Sequence, residues 1–275
     1  MKYHYADITL NCEIVGEGKP VVILHGLGCE HKMMGACLEP VFLKKYYKRF
    51  YIDLPGMGKS TGKPEYASSD KVLEILLCFI NDNVDENYLL IGESYGGYLA
   101  RGILSKDSAH IDGMALLCPV VEPIKGKRVL PQIKIQFADE AFLEKLSLEE
   151  KNDFCEYAVL ANEDTYHRYK TEIWPGIQEA DSEFINELES HYLFSFDVDK
   201  IIHGLKYNKP VLFICGKQDT CVGYEDLWKL LKDYPRATFS VLDMAGHNLQ
   251  IEQDQLFGQL MENWLLRVEI FREIT

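Results

Sequence analysis

The chain of 275 residues contains no long apolar run. Stretches such as Val21-Val22-Ile23-Leu24 fall far short of the roughly 18 residues a membrane helix needs. None of its eight cysteines forms a C-x-x-C pair, and no H-E-x-x-H or comparable ligand spacing occurs. A disulfide framework, a zinc site or any other metal is therefore not expected, and buried thiols in a reducing cytoplasm are. Basic clusters are missing as well. A net charge of −14 and a pI of about 5.0 argue against the basic surface that nucleic-acid binding requires. Nor does any Lys/Arg cluster offer attraction to anionic lipid. The opening residues MKYHYADITLN have neither an apolar core nor a small-residue cleavage site, so a signal peptide is not expected. Repeats and low-complexity tracts are absent. A cytoplasmic protein, monomer or homodimer, with no nucleic-acid or membrane partner is the expectation, and the motifs below add a small-molecule substrate.

What is present suits a large folded core. Hydrophobic residues make up 47% of the chain and charged residues 26%, which fits one large domain or a domain with an insertion. Residues 3–16 alternate as two short strands. Short apolar runs then read as buried strands at 21–24, 48–52, 88–91, 114–118, 211–215 and 238–242. Helical patterns fall between them, at 32–46, at 70–80 capped by Ser69 or Asp70, at 95–105, near 224–234 and from about 250. Strand alternating with helix predicts a parallel sheet in an α/β layer fold. The alternation breaks between Val120 and Lys209, where helix-like stretches occur at 138–160, 163–173 and 181–195. An unstructured loop of that length is implausible in a compact domain, so a helical insertion is expected. Three segments follow: a core at 1–120, a helical cap at 121–208, and the rest of the core at 209–275.

Gly92-Glu93-Ser94-Tyr95-Gly96 fits G-x-S-x-G and lies between a buried strand and a helix. A sharp strand-to-helix turn would push the Ser94 hydroxyl out of the sheet, with glycines leaving room for the strained backbone. A serine hydroxyl needs a base to take its proton. His247 stands out among eight histidines, because Met244-Ala245-Gly246-His247-Asn248 follows a strand and precedes the last helix. Asp219, in Gly216-Lys217-Gln218-Asp219, also follows a strand and is the candidate acid. Loops at the carboxyl ends of strands are where such sheets build sites. The order Ser94, Asp219, His247 is that of an α/β-hydrolase triad. Leu27 N–H, in His25-Gly26-Leu27-Gly28, and Tyr95 N–H are the expected oxyanion donors. His25 reads as a structural histidine holding the oxyanion loop. Glu93 tunes the site or is simply a satisfied buried carboxylate. Cys29 and Cys221 fall near the expected pocket mouth and also read as inert small residues. After the strand at 114–118, Pro119-Val120-Val121 offers no carboxylate before Glu122, so Asp219 keeps the lead as the acid.

Asp53-Leu54-Pro55-Gly56-Met57-Gly58-Lys59-Ser60-Thr61 ends like a nucleotide phosphate loop. The motif G-x-x-x-x-G-K-[ST] would require glycine at position 53, which is Asp53, and a helix opening at once, whereas Gly62 and Pro64 follow. The stretch reads as a structural turn, with Asp53 and Ser60 satisfying its amides. No nucleotide or other cofactor is expected.

HGLG at 25–28, DLPGMGKS at 53–60, GESYGG at 92–97, GKQD at 216–219 and GH at 246–247 together resemble the α/β-hydrolase superfamily, over essentially the whole chain. The resemblance is to the serine-nucleophile subgroup with a helical cap inserted after the sixth strand. It implies an eight-stranded, mostly parallel sheet with helices on both faces, a Ser-His-Asp triad, and acyl-transfer chemistry between core and cap. Hydrolysis of a small carboxylic ester is the first expectation. A proline-iminopeptidase-like aminopeptidase and a carbon–carbon bond hydrolase use the same triad. A ligand-binding receptor with a vestigial triad is the reading from another class. The insertion is acidic, with 18 Asp/Glu against 10 Lys/Arg over 122–208. That is ordinarily a solvated face, and more sharply a site for a cationic group. Its aromatic residues are expected mostly to pack its own core, with a few lining an apolar pocket.

Overall fold

A computed structural model describes residues 1–132 and 135–274. Its strands are β1 (Lys2–Tyr5), β2 (Ile8–Val15), β3 (Lys19–Leu24), β4 (Tyr47–Ile52), β5 (Tyr88–Glu93), β6 (Ile111–Leu117), β7 (Phe137–Ala138), β8 (Leu160–Ala161), β9 (Val211–Gly216) and β10 (Ala237–Leu242). Eight of them form one sheet in the order β1-β2-β4-β3-β5-β6-β9-β10. Only the β1–β2 and β2–β4 pairs are antiparallel, and the pairings from β4 through β10 are parallel. The central strands are buried along their length, because helices cover both faces and alternation has no role there. In β2, by contrast, Ile8, Leu10 and Cys12 point inward while their neighbours are half-exposed.

The helices α1 (His31–Phe42), α2 (Ser69–Asn83) and α3 (Ser94–Asp107) follow β3, β4 and β5. The N-cap of α2 is Ser68, not Ser69 or Asp70. Its hydroxyl accepts from Lys71 N–H at 3.3 Å, while the Ser69 hydroxyl turns inward to donate to Tyr192 O at 2.6 Å. The last helix runs from Asp254 to Ile274, after a separate short turn at Leu249–Glu252. Its buried stripe of Phe257, Met261, Trp264, Leu265 and Val268 has the spacing of one helical face. Trp264 donates its indole N–H to Pro210 O at 3.2 Å, so the buried ring keeps a polar partner.

The segment between β6 and β9 is mostly helical, but less continuous than its pattern implies. The stretch 138–160 breaks into Glu140–Leu143 and Leu148–Tyr157, because a capping box between Ser147 and Glu150 restarts the helix. β7 and β8 pair at either end of this unit. A helix at Val198–Leu205 was not expected. Asp197 caps it, and its Asp199 pairs with the fully buried Arg101 of α3. Two aromatic groups hold the segment. Phe154 meets Tyr166 and Tyr169 at 5.3 and 5.7 Å within it. Tyr192 and Phe194 meet Tyr95 and Tyr98 of α3 at 4.9 and 4.3 Å.

The stretch 53–61 is a turn rather than a phosphate cradle. Asp53 accepts from Lys59 N–H at 3.0 Å and from His31 N–H at 2.8 Å, at the start of α1. The Ser60 hydroxyl donates back to Asp53 O at 2.6 Å. Gly58 has φ +51°, and a Cβ there would lie 2.5 Å from the Asp53 carboxyl carbon. Helix α2 begins only at Ser69.

Candidate active site

Ser94 sits where β5 ends and α3 begins, with φ +50°. A left-handed backbone is costly for a side chain with a Cβ, and the surroundings enforce it. Gly92 and Gly96 allow the tight turn. A Cβ on Gly92 would meet Gly96 O at 2.4 Å, and one on Gly96 would meet Leu24 O at 2.5 Å. The turn therefore packs against the end of β3 and projects the serine hydroxyl at the carboxyl edge of the sheet.

Two other strand ends bring the remaining groups to it. His247 Nε2 lies 2.9 Å from Ser94 Oγ, and His247 Nδ1 lies 2.9 Å from Asp219 Oδ2. The carboxylate can only accept, so Nδ1 carries the proton and Nε2 is free to accept from the serine. The other Asp219 oxygen accepts from Cys221 N–H at 2.8 Å and Val222 N–H at 3.0 Å. Burial opposes the Asp219 charge, but His247 and these two amides outweigh it and hold the carboxyl below its ordinary range. Burial likewise opposes a charged His247, yet Asp219 raises its proton affinity well above that of free imidazole. The structure thus brings Ser94, His247 and Asp219 into one hydrogen-bonded line. Glu122 instead accepts from Ile124 N–H at 2.8 Å.

Leu27 borders the same space, in the loop between β3 and α1. Tyr95 is the second residue of α3, where first-turn N–H groups lack intrahelical carbonyls. His25 is fully buried. Its Nε2 accepts from Leu54 N–H at 3.0 Å and its Nδ1–H donates to Gly26 O at 2.7 Å. Burial lowers its proton affinity, so it is a neutral strut between the 25–28 loop and the 53–61 turn.

Glu93 is buried beside the line, with Oε1 3.4 Å from His247 Nε2. Burial, reinforced by Asp219, pushes its carboxyl up to about 7, against the pull of His247 and Gly26 N–H. Gly26 must be glycine here, since a Cβ would sit 2.3 Å from Glu93 Oε2. No motif marks Glu252. Its Oε1 accepts from Val159 N–H at 2.5 Å and Leu160 N–H at 3.2 Å, and its Oε2 accepts from Gly246 N–H at 2.6 Å. One buried carboxylate thereby ties the His247 loop to β8.

Above Ser94 and His247 opens a cavity of about 1010 Å³. Leu27, Met33, Ile124, Ile173, Ile185 and Val222 contribute apolar wall, and Tyr157, Tyr169 and Tyr192, from the segment between β6 and β9, contribute aromatic rings. Cys29 and Cys221 also border it. Cys118, Asp219 and His247 approach one another closely enough to share an ion. Burial keeps the Cys118 thiol protonated, and it points at Gly246 O, 3.5 Å away. Asp219 and His247 are bonded to each other, so these donors suit a metal poorly. Among the described residues, no helix is long and apolar enough to cross a membrane.

Comparison with known proteins matches this architecture. A family model described as alpha/beta hydrolase fold covers residues 19–254, and the chain belongs to that family. An alpha/beta superfamily hydrolase from Oenococcus oeni superposes with a TM-score of 0.87, at 29% identity, over 98% of this chain and 99% of that one. The abhydrolase domain-containing protein abhd-5.2 of Caenorhabditis elegans is 24% identical over 93% of this chain and 62% of its own length. A pimeloyl-[acyl-carrier protein] methyl ester esterase of Nitrosospira multiformis is 28% identical over 40% of this chain and 42% of its own. The matches to these two relatives thus span less than two thirds of either relative's length.

Proposed function

We propose that the protein is a serine hydrolase that cleaves a carboxylic ester through an acyl-enzyme. The observation that carries this reading is His247, held 2.9 Å from both Ser94 Oγ and Asp219 Oδ2 at the floor of an apolar cavity. His247 Nε2 takes the Ser94 proton as Oγ attacks the ester carbonyl carbon. The carbonyl oxygen becomes an oxyanion, received by Leu27 N–H and Tyr95 N–H. The intermediate collapses, and the leaving alkoxide takes the proton from the His247 imidazolium. Water, deprotonated by the same nitrogen, then attacks the acyl-enzyme; the acid departs and Ser94 regains its proton. Asp219 fixes the His247 tautomer and stabilises the imidazolium. Residues 121–208 serve as the cap that closes the acyl pocket and keeps water from it.

The esterase from Nitrosospira multiformis supports ester over other acyl bonds. An aminopeptidase would need a free carboxylate to receive the substrate amine. Of the cavity carboxylates, Glu189 is paired with Lys125 at 2.8 Å and Glu93 is held against His247, which leaves the exposed Glu156 as the candidate such a reading would have to use. The test is labelling with a fluorophosphonate probe, then a panel of p-nitrophenyl esters against proline and alanine p-nitroanilides. Labelling is expected in the wild type and lost in Ser94→Ala. An unlabelled wild type refutes the hydrolase reading, and faster anilide turnover refutes the ester.

A further inference from the structure

Among the described residues, five charged side chains border the cavity: Glu93, Lys125, Arg128, Glu156 and Glu189. Four have a settled position. Lys125 and Glu189 neutralise each other at 2.8 Å. Glu93 is buried against His247. Glu156 is exposed to solvent, where water screens its charge. Arg128 is different. It is half-buried, and its two hydrogen bonds go to neutral groups: Nε donates to Glu122 O at 2.9 Å and Nη1 to Cys221 O at 2.8 Å. Among the described residues no carboxylate pairs with it, so the cavity holds one uncompensated, partly desolvated cation.

Those carbonyls also aim it. A guanidinium has five N–H donors in a rigid plane. With two engaged, three remain at the Nη end, fixed in direction. Both anchors belong to the reacting edge of the sheet. Glu122 follows β6, and Cys221 is the residue whose N–H donates to Asp219 Oδ1 at 2.8 Å. The position of the cation is therefore tied to the group that orients His247.

We infer that this site takes esters with a second, anionic end: a single carboxylate on an apolar spacer, received by Arg128, as in the monoester of a linear dicarboxylic acid. The inference rests on the serine-hydrolase reading and adds the substrate class to it. Three donors at one guanidinium end match a planar, two-oxygen acceptor. A dianionic phosphate would need a second cation, and Lys125 is already neutralised. The apolar wall accounts for the spacer, which water would otherwise solvate as well as the protein does.

The test compares monomethyl with dimethyl esters of dicarboxylic acids from succinate to sebacate, which differ in charge but little in shape. The wild type is expected to favour the monoester at least tenfold in kcat/KM at one spacer length. Arg128→Gln should lower that selectivity tenfold or more, and Arg128→Lys, which keeps the charge without the fork, should fall between. A binding arm separates this inference from the catalytic one. Ser94→Ala is titrated calorimetrically with monomethyl and dimethyl suberate, and tighter binding of the monoester is expected whether or not the wild type turns either over. Equal binding of the two, or a monoester preference that survives Arg128→Gln, overturns the inference. If Arg128→Gln does not fold, a wild type that favours the diester at every length overturns it alone. Absence of turnover with the charge preference in binding intact would overturn the hydrolase reading instead.

Discussion

Glu93→Gln should stabilise the protein, increasingly so as pH rises. The side chain is 2% exposed, and burial pushes its carboxyl from 4.5 to about 7. Between those values the unfolded chain has released a proton that the native protein still binds. Native stability therefore falls with rising pH across that window. The gap, at about 1.4 kcal/mol per pH unit, amounts to about 3 kcal/mol. Glutamine keeps the shape and has no charge to bury. The stability difference between variant and wild type should grow from near zero at pH 4.5 to about 3 kcal/mol just above pH 7, then level off. Urea unfolding of both proteins at half-unit steps from about pH 4.5 to 8 measures it. A difference that stays flat, or that grows toward acid, refutes the claim that burial governs this carboxyl. The same substitution removes a carboxyl 3.4 Å from His247 Nε2 that becomes anionic as pH rises through about 7. The acid limb of kcat/KM should then move down. An unmoved limb would show that Glu93 and His247 do not share a field.

Asp219→Asn should leave the fold intact and lower kcat by about 10⁴, because an amide no longer fixes the His247 tautomer; steady-state kinetics beside a circular-dichroism melt checks both halves. Glu252→Gln places an amide donor against one of three backbone N–H groups, and urea unfolding should show a loss of about 1–3 kcal/mol, with kcat reduced as the His247 loop loosens. Gly58→Ala forces a side chain into φ +51°, which by itself costs about 1–2 kcal/mol, before Asp53 is displaced; an unchanged Tm would contradict the strain argument.

The groups legible in the sequence share one property. Ser94, Asp219, His247 and Leu27 each lie within five residues of the end of a short apolar run, so finding the strands also finds the edge where they lie. Periodicity cannot reach what depends on distant chain. Glu252 binds amides at 159, 160 and 246, and nothing near it in sequence marks it as more than a helix-start carboxylate. Arg128 lies in a stretch with no periodic pattern, and its carbonyl partners come from two separate loops. The helix at Val198–Leu205 has its signal in Asp197 followed by Val198, Ile201, Ile202 and Leu205, a run of barely two turns after the helical stretch at 181–195. The split within 138–160 is a local matter. The Ser147–Glu150 box outweighs a continuous run of helix-favouring residues.

The turn at 53–61 touches more of the molecule than its length suggests. Leu54 N–H fixes His25 beneath the loop that carries Leu27. Gly56 O accepts from Asp181 N–H at 2.9 Å, and the Phe184 ring lies where a Cβ on Gly56 or Gly62 would have to go. Floor and roof of the cavity are thus indexed to one short peptide. The segment around Asp181 and Phe184 and the loop that carries Leu27 therefore cannot shift independently of this turn: a change that moves one must move the other or break the contacts at Gly56 and Leu54.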